Sequence, residues 1–184
     1  NAPVSGGSMR TYGTPFNRIG ISILDFCEDG EKPDGSTYFD AVMRRAMAAV
    51  GDTNGLNGRV LQCPAGIYKF ARQVNIDRQV VLIGESTFFG DSGNGTRFVF
   101  DAGNDGLVFQ RPNTGPLGTR NDGAIVDGID IQGAAGPGVH HGIRFYTRGL
   151  FTRGAIRGWD GDGIHISNVA PVVNDWTAST LYLF

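Results

Sequence analysis

The sequence predicts an all-β protein built as a solenoid, with one helix near its start. Three observations carry that expectation. Glycine supplies 29 of 184 residues, about twice the usual ~7%, and it is scattered among short apolar runs, as tight turns between short strands require. A pattern of glycine, apolar, variable, apolar recurs at Gly106–Phe109, Gly128–Ile131, Gly142–Phe145 and Gly163–Ile166, which is strand alternation entered through a bend. Gly142 and Gly163 stand 21 residues apart, the length of one turn of a small β-solenoid.

Residues 1–20 are polar, rich in Gly and Pro, and carry no period. They read as an arm, a linker or a strand against the next element, with Phe16 and Ile19 as anchors. Residues 21–184 read as the solenoid domain. Ile21–Phe26 is an expected strand, and Asp29-Gly30 with Asp34–Thr37 an acidic, glycine-containing turn. A helix is expected over residues 37–50. Ser36 or Thr37 suits its N-cap, and Asp40, three residues past Thr37, can complete a capping-box-like pair. Phe39, Val42, Met43, Ala46, Met47 and Val50 form one apolar stripe, with Arg44 and Arg45 outside it, and Gly51 suits the helix stop. Such a helix covers the unpaired backbone and apolar side chains that a parallel solenoid exposes at its end.

The circuits are expected over residues 59–184. Arg59–Tyr68 contains a strand ending in a Pro64-Ala65-Gly66 turn, and Val80–Glu85 is another strand. Gly106, Gly142 and Gly163 should start strands of one sheet. The longer runs Ala124–Gly133 and Gly149–Gly158 should lie on neighbouring sheets. Extra loop, Arg111–Asp122 and Ala134–His141, falls between Gly106 and Gly142 and suits a binding rim. The chain stops at Thr180–Phe184 within an apparent strand. An apolar strand without a cap is an open edge, so the expectation is the N-terminal part of a longer solenoid, or an end covered by another chain.

The order of strand, acidic turn, helix, Pro64-Ala65-Gly66-Ile67-Tyr68 and a strand closing on Gly84-Glu85 resembles the opening of the pectate-lyase-like superfamily. The resemblance covers residues 21–85 and implies a right-handed, single-stranded parallel β-helix with an N-terminal capping helix. It also implies that Cys27 and Cys63 are neighbours, as a disulfide or as two buried thiols. Neither has a Cys or His at metal-ligand spacing. Glu85 reads as fold signature.

Charges of both signs are interspersed and the formal net charge is −2, so no polybasic surface for nucleic acid or anionic lipid is evident. No apolar run approaches the ~20 residues of a membrane span. The N-terminus carries no signal-peptide core, having lost one or never had one.

If Gly142 and Gly163 begin equivalent strands, Arg144 and His165 project side by side, ~4.8 Å apart, on one outer face. The turn before the second strand carries Trp159, Asp160 and Asp162. His140 and His141 occupy the same turn one circuit earlier and, being adjacent, point to opposite sides. With Arg157, these residues form the mixture that sugar clefts use: Trp stacks on a pyranose, Arg pairs with a uronate carboxylate, Asp and His move protons. The expected catalytic set is His165, Asp160, Asp162 and Arg144; the expected substrate-binding set is Trp159, Arg157 and His141. Each also has a plain structural reading. Asp162 precedes Gly163 as Asp precedes Gly at many bends here, His165 and Arg144 suit a solvated surface, and Trp159 and Trp176 suit edge packing.

The resemblance implies two chemistries. In the lyases a cation neutralises a uronate carboxylate, a base removes the C5 proton and the glycosidic oxygen leaves, roles open to Arg144 or Arg157 and to His165. In the polygalacturonases aspartates act as acid and base. Asp160-Gly161-Asp162 is faintly similar to their Asn-Thr-Asp element but lacks the Asn-Thr, and the Asp-Pro-His-Glu element of the mannuronan epimerases is absent. The functional expectation is a secreted, carbohydrate-active protein acting on an acidic polysaccharide. The alternatives are a phage tailspike, forming a homotrimer in a virion tail, and a non-catalytic adhesin solenoid. No cofactor is expected; a lyase could use Ca2+, but no dense acidic cluster demands it.

Overall fold

A computed structural model describes residues 20–50, 59–78, 80–86, 95–110, 124–146, 149–166 and the strand at 182–183. The chain enters with β1 (Ile21–Ser22), a 3-10 turn (Ile23–Phe26), β2 (Asp34–Tyr38) and α1 (Asp40–Ala49). It then passes repeatedly through three sheets in the same cyclic order. The circuits are β3 (Arg59–Cys63), β4 (Gly66–Phe70) and β5 (Val74–Ile76); β6 (Val80–Gly84), β7 (Thr96–Phe100) and β8 (Leu107–Phe109); β9 (Ala124–Asp127), β10 (Ile129–Gln132) and β11 (Ile143–Phe145); and β12 (Gly149–Thr152), β13 (Ala155–Arg157) and β14 (Ile164–Ile166). β15 (Tyr182–Leu183) follows.

Strands β1-β3-β6-β9-β12 form the first sheet, β2-β4-β7-β10-β13-β15 the second and β5-β8-β11-β14 the third. Every pairing is parallel. The described residues are therefore mostly β, parallel and solenoid-like, with one short α-helix.

The core follows from period-two alternation. In register, Leu61, Leu82, Val126 and Phe151 stack inside the first sheet, and Tyr68, Phe98, Ile131 and Ile156 inside the second. All are buried. Strands repeat every ~4.8 Å, so aromatic residues in register become stacked rings. Phe70 lies on Phe100 at 5.0 Å, and Phe109 on Phe145 at 4.9 Å. The bends between sheets need glycine where backbones nearly touch. Gly128, between β9 and β10, has φ +67°, and a Cβ there would stand 2.6 Å from the Gly84 carbonyl oxygen.

The N-terminal elements differ from the sequence reading in two places. Ile21–Phe26 is not one strand: Ser22 caps a 3-10 turn, its hydroxyl accepting from the Leu24 N–H while Asp25 accepts from the Ser22 N–H. Residues 34–38 pair with β4 rather than capping the helix. Their polar groups are spent locally, Asp34 accepting from the Ser36 N–H and hydroxyl and Thr37 donating to the Lys32 carbonyl. The helix starts at Asp40 behind Phe39, without a side-chain cap. The Asp40 carboxylate accepts from the Ala71 N–H at 3.0 Å, so sheet pairing overrode capping propensity. The apolar stripe is as expected: Phe39, Val42, Met43, Ala46, Met47 and Val50 all enter the core. The helix packs on the 3-10 turn and β5, at the end of the sheets where β1, β2 and β5 lie.

Strands β5 and β7 are additional to those expected. Arg59–Tyr68 divides between β3 and β4, and each longer run divides over two sheets, Ala124–Gly133 into β9 and β10 and Gly149–Gly158 into β12 and β13. Cys27 and Cys63 are both free. Burial pushes the Cys27 thiol up to about 11, with Glu31 adding to it, and burial alone raises Cys63. Residues 1–19, Gly51, the 111–122 loop and Trp176 lie outside the described residues.

Candidate functional site

The third sheet carries the expected strands in the expected register: Leu107 pairs with Ile143 and Ile143 with Ile164. Its outward positions read Asn75, Val108, Arg144 and His165 along the ladder. Val108 is buried, so the polar surface centred on Arg144 and His165 is confined to the β11–β14 end.

The turns entering this sheet stack as well. Asp105, His141 and Asp162 each precede the glycine that leads into a strand, and the first two hand a bond to the next circuit. The Asp105 carboxylate accepts from the His141 N–H at 2.8 Å, and His141 Nδ1 accepts from the Asp162 N–H at 2.9 Å. Asp162 turns its own carboxylate to His165 Nδ1, at 2.8 Å. The His141 and His165 rings stack with centroids 4.1 Å apart and planes 27° from parallel. Arg144 Nη1 lies 3.1 Å from Asp105 Oδ2 and 3.4 Å from the Tyr146 hydroxyl.

Protonation follows from who can donate. A backbone N–H only donates, so the His141 Nδ1 that receives it carries a lone pair. An ionised carboxylate only accepts, so His165 Nδ1 carries its proton and leaves Nε2 as a base. Asp162 Oδ2 also lies 3.5 Å from His141 Nδ1. That lone pair is already taken by the shorter N–H bond, so the contact is not an ion pair. Burial, then the repulsion of His165 and Arg144, holds His141 below the usual imidazole range, against the pull of Asp105 and Asp162. The His165 hydrogen bond foremost holds the exposed Asp162 carboxyl below the usual range.

His141, Asp162 and His165 also offer ligand atoms within 4.8 Å of one another. The stacked rings do not suit a shared ion. A metal sits in each imidazole plane ~2.0–2.1 Å from nitrogen, and planes only 27° apart at a 4.1 Å separation meet far beyond that distance. One of the two lone pairs is also occupied.

Four expected site residues thus come together: Arg144, His165, Asp162 and His141. His141 is buried at 6% exposure, which corrects its substrate-binding role, since a ring covered by its neighbours has no free face for a sugar. Trp159 is turned into the corner between sheets. Its ring lies 5.9 Å from Phe100 and fills the space against Gly133, Gly142 and Gly106, so the half-buried indole packs on the core. Arg157 belongs to the second sheet, beside Gln132, with Nη2 3.8 Å from buried Asp130. Asp160 clips the preceding circuit by accepting from the Gly136 N–H at 3.0 Å. Sequence reasoning missed Asp105, whose only signal was an Asp-Gly pair of the kind that marks bends, and Tyr146, which follows the strand without a motif.

The fold and this face define an all-β protein of parallel strands with a polar His-Asp-Arg patch on one sheet. No protein-family model matches the chain, and no curated protein matches it. Among solved structures, ORF18 of Geobacillus virus E2 is similar in fold, with a TM-score of 0.58 at 16% identity, over 79% of this chain and 27% of that one. The chain therefore spans 27% of the length of that phage protein.

Proposed function

We propose that this chain is the N-terminal part of a right-handed, single-stranded parallel β-helix of the pectate-lyase-like kind, and that it cleaves an acidic polysaccharide by β-elimination. The observation that carries the reading is the Asp162–His165 pair at 2.8 Å beside Arg144 on the adjoining strand. Arg144 pairs with the uronate carboxylate and withdraws charge from C5. His165 Nε2 takes the C5 proton, the C4=C5 bond forms as the C4–O bond breaks, and the Tyr146 hydroxyl protonates the departing oxygen. Asp162 orients the imidazole and stabilises the imidazolium, as a carboxylate partner does for a catalytic histidine. On this reading the protein works outside the cell.

A second reading is a phage tailspike, trimeric in the virion tail, that binds or depolymerises a surface glycan. The fold likeness to a phage protein favours it. The two are separated by mass in solution and by the glycan digested.

The test is a panel of acidic polysaccharides followed by absorbance in the unsaturated-uronate band and by reducing-end release. New absorbance is expected, with a loss of roughly 10²–10⁴ in His165→Ala, the usual worth of a general base. Parent-level turnover in that variant, or reducing ends without absorbance, would sink the elimination mechanism.

A further inference from the structure

We infer that His141 is a positioning residue that fixes the tautomer of His165, the two rings being held as a stacked pair of opposite tautomers by the single residue Asp162. The backbone N–H of Asp162 meets one ring at Nδ1, at 2.9 Å, and its carboxylate meets the other at Nδ1, at 2.8 Å. His141 is neutral with its proton on Nε2. His165 carries its proton on Nδ1 and turns an unprotonated Nε2 toward solvent. The pair works as a unit because the donor and the acceptor belong to one residue. The N–H bond into His141 sets where the Asp162 backbone stands, and that backbone sets where the carboxylate reaches His165. Stacking at 4.1 Å keeps the second ring parallel to the first.

The charged and titratable groups facing the pair are Asp105 from the turn before β8, Arg144 and Tyr146 on and after β11, and Asp162 beneath β14. His140, next to His141, is directed away, its Nε2 lying 3.1 Å from the Pro137 carbonyl. Asp160 is bound to the Gly136 N–H. A proton added to His141 Nδ1 would set two donors against each other at 2.9 Å, breaking the bond that holds the turn. It would also put a cation against Arg144 and, once His165 charges, against a second imidazolium. Both effects hold His141 neutral.

This rests on the elimination reading only in naming that Nε2 a base; the tautomers are measurable without substrate. The experiment is long-range 1H–15N correlation of the imidazoles in the whole 15N-labelled chain. Its three histidines are assigned by His140→Gln and His141→Asn. One ring protonated at Nε2 and the other at Nδ1 is expected, the Nδ1–H form of His165 exceeding its alternative by about tenfold or more, the factor one charge-assisted bond supplies. His141→Asn keeps an acceptor for the Asp162 N–H, as Asp105 does for His141, and should preserve the His165 tautomer. His141→Leu keeps none and should release it toward the Nε2–H form. The same tautomer on both rings, or an unmoved His165 in a folded His141→Leu variant, overturns the inference. If the leucine variant does not fold, the parent's tautomers decide: a proton on His141 Nδ1, or an Nε2–H form of His165, overturns it. Absent lyase activity with opposite tautomers intact would retire the proposed reaction and leave this pair standing.

Discussion

Removing the carboxylate of Asp105 tests whether the ladder of turn residues holds the candidate site together. Asp105 is 5% exposed and has two partners, the His141 N–H at 2.8 Å and Arg144 Nη1 at 3.1 Å. The first is a buried bond to a charged acceptor, worth about 1.5–3 kcal/mol. The second joins a buried carboxylate to a guanidinium still 24% exposed, so it falls short of the ~3–5 kcal/mol of a fully buried broken pair and nearer to about 1 kcal/mol. Asp105→Ala forfeits both and leaves the His141 N–H buried without an acceptor, a loss of about 3 kcal/mol. Asp105→Asn keeps an acceptor for that N–H and loses only the charge, about 1 kcal/mol. At roughly 2–4 °C per kcal/mol for a chain of this size, the alanine variant should melt about 6–12 °C lower and the asparagine variant about 2–4 °C lower. Urea unfolding followed by tryptophan fluorescence gives both free energies. Equal losses in the two variants, or an alanine loss under about 1 kcal/mol, would refute the claim that the backbone bond dominates.

Two further outcomes follow from the same circuits. Arg153 sits at φ 49°, one circuit on from Gly128 at φ +67°, and its side chain is tied to Asp127. Arg153→Ala loses the exposed ion pair and keeps the left-handed strain, whereas Arg153→Gly loses the pair and relieves it, so glycine should be the more stable by about 1 kcal/mol; unfolding curves in which alanine matches or exceeds glycine would contradict this. The His141 pKa is lowered from its usual 6.5, so just below 6.5 the unfolded chain binds the extra proton and stability rises with pH through that window. Stability from this residue is thus complete above 6.5 and lost as acid brings the pH down through the folded pKa. The urea midpoint of the parent should fall between about pH 7.5 and about pH 5, and the fall should shrink in His141→Asn; equal falls would remove His141 as the cause. Asp162, whose pKa is lowered from 3.8, contributes in the same direction at more acid pH.

Much of the fold could be read from local pattern. Gly142-Ile143-Arg144-Phe145 and Gly163-Ile164-His165-Ile166 declared their own alternation and spacing, and the register Arg144 to His165 followed from nothing more. The stripe from Phe39 to Val50 did the same for α1. Capping propensity misled at Ser36 and Thr37 because β4 supplied partners 31 and 33 residues away in sequence for the backbone of β2. The short strand Val74–Ile76 follows Gln73 and lacks the leading glycine that marked the other strands of its sheet.

The site was half legible for a related reason. Arg144 and His165 lie in the repeating strands, where position in the repeat dictates direction. Trp159, Asp160 and Asp162 lie in a bend, where a change of one dihedral redirects a side chain, and their composition alone could not say that Trp159 packs inward while Asp162 reaches His165. Composition and periodicity, being properties of near neighbours, determined that the chain is all-β and which face each strand residue takes. Hydrogen bonds between circuits, from Asp105 to His141 and from His141 to Asp162, join residues 36 and 21 apart. Only the stacking of one circuit on the next brings such groups within 3 Å, and so only the tertiary structure decided which histidine of the stacked pair is buried and which one reaches solvent.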